Sequence, residues 1–232
     1  MTFREELRLL LRARVSVLQV VTYDEGRLLA ELEALRAAEP GWKDWGITTW
    51  DGAEQFQVVV KGNPAFDSGK QATTANVLKL IEDSAGSGIF VLPDFHLAWS
   101  ESKAVLRKLR SLSRRLPRRR EPLAVIVVTP TRELPVELKH DVVQLDMPKP
   151  DAAAVQEIVT RVVGRERVDE RLLASLAQAA LGLSGTQVEH TFSKAFAAAC
   201  GRRDGRLDES SLDLVRAEKY RAIRESGALE FV

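Results

Sequence analysis

Short apolar runs alternate with helix-period stretches through the first 150 residues, and then the runs cease. Residues 123–129 are the clearest case: Leu-Ala-Val-Ile-Val-Val-Thr, closed by Pro130. A run so short and so rich in β-branched residues predicts a buried strand. Residues 15–22, 47–50, 88–92 and 142–145 read the same way, and 56–60 adds a minor strand. Helices are predicted between them over 3–13, 25–38, 74–83 and 103–116. The second of these places Leu28, Leu29, Leu32 and Leu35 at three-to-four spacing before Pro40-Gly41 stops it. Such alternation implies a mostly parallel, doubly wound α/β sheet. Beyond Pro150 only helices are predicted, over 151–163 with Asp151 as N-cap, 169–180, 184–200 and 208–225. The expected organisation is an α/β core over 1–150 and a small all-helical domain over 151–232.

Composition removes several classes. With 45% hydrophobic and 29% charged residues, the 232-residue chain has material for a sizeable core and is not a disordered polymer. Cys200 is the single cysteine, which excludes an intrachain disulfide or a Cys-based zinc centre and points to a reducing, cytoplasmic setting. No apolar run approaches the ~20 residues of a membrane helix, and the opening Met-Thr-Phe-Arg-Glu-Glu is unlike a secretion signal. The net charge is +1, so no global field favours nucleic acid.

An α/β core with a helical appendage raises the question of nucleotide binding. A phosphate loop needs glycines that let backbone N–H groups wrap phosphate, a lysine to neutralise charge and a hydroxyl for magnesium. The nearest stretch, 61–71, has Pro64 where the first glycine belongs and Gln71 in place of the hydroxyl, so it reads as a surface turn. The topological position for such a loop follows the first strand. There Tyr23-Asp24-Glu25 runs almost directly into a helix. The carboxylates are expected to cap the helix N-terminus, a site that would otherwise attract an anion. These three residues and Asp94 are the candidate contacts for ATP or ADP with magnesium.

Asp94 follows the apolar stretch Ile-Phe-Val-Leu-Pro, the shape of a Walker B strand whose acid holds a magnesium-bound water. Phe95 stands where a water-orienting glutamate would be, with His96 beyond it. Thr129, at the end of another strand, occupies a sensor-like position, although turn chemistry is the more ordinary reading of a hydroxyl there. A basic cluster forms the third candidate: Lys103, Arg107, Lys108, Arg110, Arg114, Arg115, Arg118, Arg119 and Arg120, over a stripe of Leu106, Leu109, Leu112 and Leu116. It reads as a solvated face, an interface for an acidic partner, or a nucleic-acid contact without aromatic stacking. His140 and His190 lack metal-ligand spacing. Cys200 reads as a packed helix thiol, and Trp42, Trp45, Trp50 and Trp99 as core or interface anchors.

Taken in order, these segments resemble an AAA+ core followed by its helical lid. The stretches that carry the resemblance are Phe3-Arg4-Glu5-Glu6-Leu7, Val21-Thr22-Tyr23-Asp24-Glu25, Phe90-Val91-Leu92-Pro93-Asp94-Phe95-His96, the approach to Pro148-Lys149-Pro150-Asp151, and Ser226-Gly227-Ala228-Leu229-Glu230-Phe231. The chain is similar, over nearly its whole length, to the degenerate N-terminal AAA-like half of the chloroplast-reading-frame AAA ATPases of plastids, cyanobacteria and other bacteria. The resemblance implies an active second AAA module beyond this half. It implies Asp94 as the residual acid. It sets Lys139-His140-Asp141 near the arginine-finger position, and Thr186 and Gln187 where the second sensor arginine would be sought.

Three functions compete. The leading one is a catalytically inactive AAA+-like module acting in assembly, regulation or partner recruitment, through self-assembly or beside an active AAA+ domain. The second is a non-standard ATPase built on Asp94. The third is a nucleic-acid-associated subunit of clamp-loader type, motivated by Arg107, Arg110, Arg114, Arg115, Arg118, Arg119 and Arg120.

Overall fold

The structure, a computed structural model, describes residues 1–201 and 205–225; the closing 226–231 of the resemblance lies outside the described residues. The chain divides into two compact units, Met1–Met147 and Pro148–Val232.

The first unit opens with α1 (Phe3–Arg12), capped by a reciprocal box in which Thr2 Oγ1 accepts from Glu5 N and the Glu5 carboxylate accepts from Thr2 N. Then follow β1 (Val17–Val21), α2 (Glu25–Ala38), β2 (Gly46–Asp51), β3 (Gln55–Val60), α3 (Val77–Glu82), β4 (Gly88–Pro93), the one-turn α4 (Ala98–Glu101), α5 (Lys103–Arg115), β5 (Leu123–Thr129) and β6 (Val143–Asp146). The sheet runs β3-β2-β4-β5-β1-β6, and every pairing is parallel except β2 with β3. The exception follows from loop length. Only Gly52-Ala53-Glu54 separates β2 from β3, too short for a crossover. Asp51 Oδ1 fixes that turn by accepting from Ala53 N and Glu54 N, both at 2.7 Å.

Period-two alternation sorts the strands into two faces. Val17, Val125, Val127, Phe90 and Leu92 pack towards α3 and α5. Leu18, Val20, Ala124, Ile126, Val128, Ile89 and Val91 pack towards α1 and α2. All seven residues of β5 are buried, as its composition predicts. The stripe of α5 is Val105, Leu109 and Leu112, continued by Leu116; Leu106 is half-buried beside it. Trp42 and Trp45 stack at 4.7 Å in the core, and Trp50 is buried among Phe56 and Phe95.

The second unit holds α6 (Ala152–Val163), α7 (Glu170–Ala180), α8 (Gly185–Cys200) and α9 (Ser210–Glu225) around Val159, Leu176, Ala177, Val188, Phe192 and Val215. Asp151, Asp169 and Ser184 accept from N–H groups of the first turns. Gln187 returns the bond to Ser184 N at 2.8 Å, so it closes a capping box. Cys200 departs from the expected packed thiol: it is exposed. Ala195 and Ala199, four apart, take the inward face of α8, and the next residue turns to solvent.

Candidate functional site

The sequence candidates for phosphate chemistry meet at one edge of the sheet. β5 lies between β4 and β1. Thr22 N donates to Thr129 O at 2.8 Å, and Asp94 N donates to Val128 O at 3.1 Å. These two bonds bring the β1–α2 joint, Asp94 and Thr129 side by side at the C-terminal ends of parallel strands, where open α/β sheets bind ligands.

The joint is short: Thr22, Tyr23 and Asp24 alone separate β1 from α2. Tyr23 is 73% exposed, whereas Asp24 is buried. Asp24 stands at the N-cap, yet its side chain makes no capping hydrogen bond. The expected capping role is corrected here. Its ψ of 67° differs from the extended 147° to 179° of Asp151, Asp169 and Ser184, which do cap. The Asp24 carboxylate instead lies 3.6 Å from Arg27 Nη1.

Glu25 is the electrostatic centre of this edge. Burial lifts its carboxyl above the ordinary carboxylate range, and the charges of Asp94 and Asp51 push it higher. The native state therefore holds this proton more tightly than the unfolded chain does. Its contribution to stability is complete below the unfolded value of 4.5 and is lost as pH rises through the native one. Glu25→Gln is expected to raise the melting temperature at pH 7 and to leave it unchanged in mild acid. The gain is small, about 0.5 kcal/mol or less, because Glu25 is only partly desolvated and much of its surface still meets water, which screens these charges. Thermal melts at the two pH values check this; a lower melting temperature at pH 7 contradicts it.

Asp94 adopts a left-handed backbone, φ 52° and ψ 14°, an uncommon state for a residue with a Cβ. Its carboxylate is 63% exposed, with His96 Nδ1 3.9 Å away. Thr129 is sequestered. Its hydroxyl accepts from Gln19 Nε2 at 2.8 Å and donates to Thr131 O at 2.7 Å, and the residue is 1% exposed. The Nε2 of fully buried Gln19 shares its two hydrogens among Thr129 Oγ1, Thr131 O and Glu133 O, and its Oε1 accepts from Gln144 Nε2 at 2.6 Å. The sensor-like hydroxyl is thus committed to holding the loop after β5. No group of three or more His, Cys, Asp or Glu is arranged for a metal among the described residues.

The basic cluster lies on α5 and the segment after it, and carboxylates from elsewhere organise it. Asp141 takes Arg110 at 3.0 Å and Arg114 at 3.2 Å. Burial pushes the Asp141 carboxyl up, but the hydrogen bonds from Arg110, Arg114 and Ser113 and the Arg114 charge outweigh it and hold it below the usual range. Glu82 takes Lys108 at 2.5 Å and Arg115 at 2.9 Å. Arg119 donates to Glu82 O and to Ser84 O. Arg107, Arg118 and Arg120 are exposed and form no ion pair among the described residues.

The comparison with known proteins accords with this layout. The model of the SpoVK-like AAA ATPase N-terminal domain matches residues 3–147, and that of the second domain of the same family matches 152–226. The chain belongs to the SpoVK-like AAA ATPases. Its similar proteins include the uncharacterized AAA domain-containing protein ycf46 of Trieres chinensis, 26% identical over 235 residues, and that of Guillardia theta, 25% identical over 236. Each alignment covers the whole of this chain and 44% of the relative, so the chain spans less than half the length of these proteins.

In this SpoVK-like chain the ends of β1, β4 and β5 bring the β1–α2 joint, Asp94 and Thr129 together. Sequence reading misses Gln19, Gln144, Asp141 and Glu82. A glutamine inside the apolar run 17–21 was the available signal, since a buried amide needs partners. No helix among the described residues is long and apolar enough to cross a membrane.

Proposed function

We propose that this chain is a SpoVK-like AAA module without phosphate chemistry of its own, acting in assembly or partner recruitment beside an active AAA ATPase in the cytoplasm. The observation that carries the reading is the three-residue β1–α2 joint, which has neither glycine nor lysine and ends in buried Asp24, with Glu25 opening α2. Phosphoryl transfer relies on a backbone cradle and cations around the phosphates. Here a triphosphate would meet Glu25, Asp51 and Asp94, and burial together with the Asp94 and Asp51 charges already raises the Glu25 carboxyl. These residues do not fit a magnesium-bound nucleotide held in the usual way. The relatives are AAA domain-containing proteins more than twice as long, which leaves room for a second module.

Calorimetric titration with ATP and ADP, with and without magnesium, tests the reading. The expected result is no saturable heat at millimolar nucleotide and no hydrolysis above that of Asp94→Ala. Saturable binding that Asp94→Ala abolishes overturns it.

A further inference from the structure

We infer that the arginines at the end of α5 and in the strap that follows it form a docking face for the phosphodiester backbone of duplex nucleic acid. Residues 103–120 contain nine basic side chains and no acidic one. The carboxylates that balance some of them lie underneath. Glu82 and Asp141 have side chains 12% and 11% exposed, while Arg115 and Arg114 above them are 65% and 59% exposed. Internal pairing therefore leaves the exposed side chains of 103–120 cationic, with the exposed carboxylates Asp83, beside Arg115 and Arg118, and Glu121, after Arg120, at their border.

The strap is fixed before any ligand arrives. Arg14 donates to Pro117 O at 3.4 Å and to Arg119 O at 2.6 Å. From within, Arg119 donates to Glu82 O and Ser84 O. Arg119 has extended backbone, φ −68° and ψ 151°, so its neighbours point away from it. Arg118 and Arg120 thus face outward, about 7 Å apart along the chain. Neither has an ion-pair partner among the described residues. Arg107 and Arg114, two helical turns apart, extend the cationic row along α5.

Two absences within this segment select the ligand. None of the exposed large hydrophobic side chains falls between residues 103 and 120, and a protein interface ordinarily needs an apolar centre. No aromatic residue is interleaved with the arginines, so bases have nothing to stack on and an unpaired strand gains little. Guanidinium groups without either suit phosphates of a paired backbone, read without regard to sequence.

The test is fluorescence anisotropy of the purified chain with a short labelled DNA duplex and an RNA duplex of the same sequence, over a series of potassium chloride concentrations. Log affinity is expected to fall linearly with log salt, with a slope of about −0.9 per phosphate contact. Arg118→Ala combined with Arg120→Ala is expected to weaken binding several-fold on every sequence and to reduce the slope by about 2. Its melting temperature should be unchanged. Arg216→Ala, on α9 with an exposed side chain, should bind as the parent does. Binding confined to DNA or to RNA supports the face and identifies which duplex it takes. Salt-insensitive binding, an unchanged slope in the double variant, or polyglutamate competing as well as unlabelled duplex overturns the inference; the last result assigns the face to an acidic protein. None of these outcomes depends on whether nucleotide binds at the sheet edge.

Discussion

Phe192→Ala is expected to lower the stability of the helical unit by about 3–5 kcal/mol. Phe192 is fully buried and heads the largest side chains with no exposure among the described residues. It sits on α8 among residues supplied by α6, α7 and α9, including Val159, Leu176 and Val215. Truncation to alanine removes apolar contact and leaves a space that rigid helices close only in part. The units Met1–Met147 and Pro148–Val232 have separate cores, so denaturant unfolding should show the helical transition moving alone. A loss under about 1 kcal/mol, or an equal shift in the signal of the sheet unit, counts against this reading of the cores.

Gln19→Leu should be nearly as damaging, at about 2–3 kcal/mol, although it replaces a polar residue of the core by an apolar one of similar size. The amide of Gln19 serves Thr129 Oγ1, Thr131 O and Glu133 O as donor, and Gln144 as acceptor. Leucine would leave Glu133 O and one lone pair of Thr129 without these partners, and such orphaned groups cost about 1–3 kcal/mol each. Part of that is offset because the buried amide itself disappears. Chemical denaturation measures the net change. The loop after β5 should also exchange its amide protons faster, since its tether is gone. A variant as stable as the parent would show that the network contributes little.

Local features of the chain were open to sequence reading. The spacing of Leu28, Leu32 and Leu35 and the stop at Pro40-Gly41 give α2 the bounds Glu25–Ala38. Alternation along 123–129 places Val125 and Val127 on one face and Ile126 and Val128 on the other. Asp151 caps as its position before an apolar period implies. What stayed hidden depends on distant partners. Gln19 meets Thr129 across 110 residues of sequence and Gln144 across 125, separations that periodicity does not register. Asp141, near the arginine-finger position of the resemblance, pairs with Arg110 and Arg114 of α5 for the same reason. Asp24 has the right residue type for a cap but not the extended backbone a cap requires.

That joint has a mechanical meaning. A long glycine-rich connection can change shape while the strand and helix on either side stay still. Three residues between Val21 and Glu25, one of them buried, contain no such slack. A displacement of α2 must be passed to β1, and from there through the hydrogen-bonded ladder to β5 and β6. The short joint therefore ties the start of α2 directly to β1, and through β1 to the two strands on either side of it.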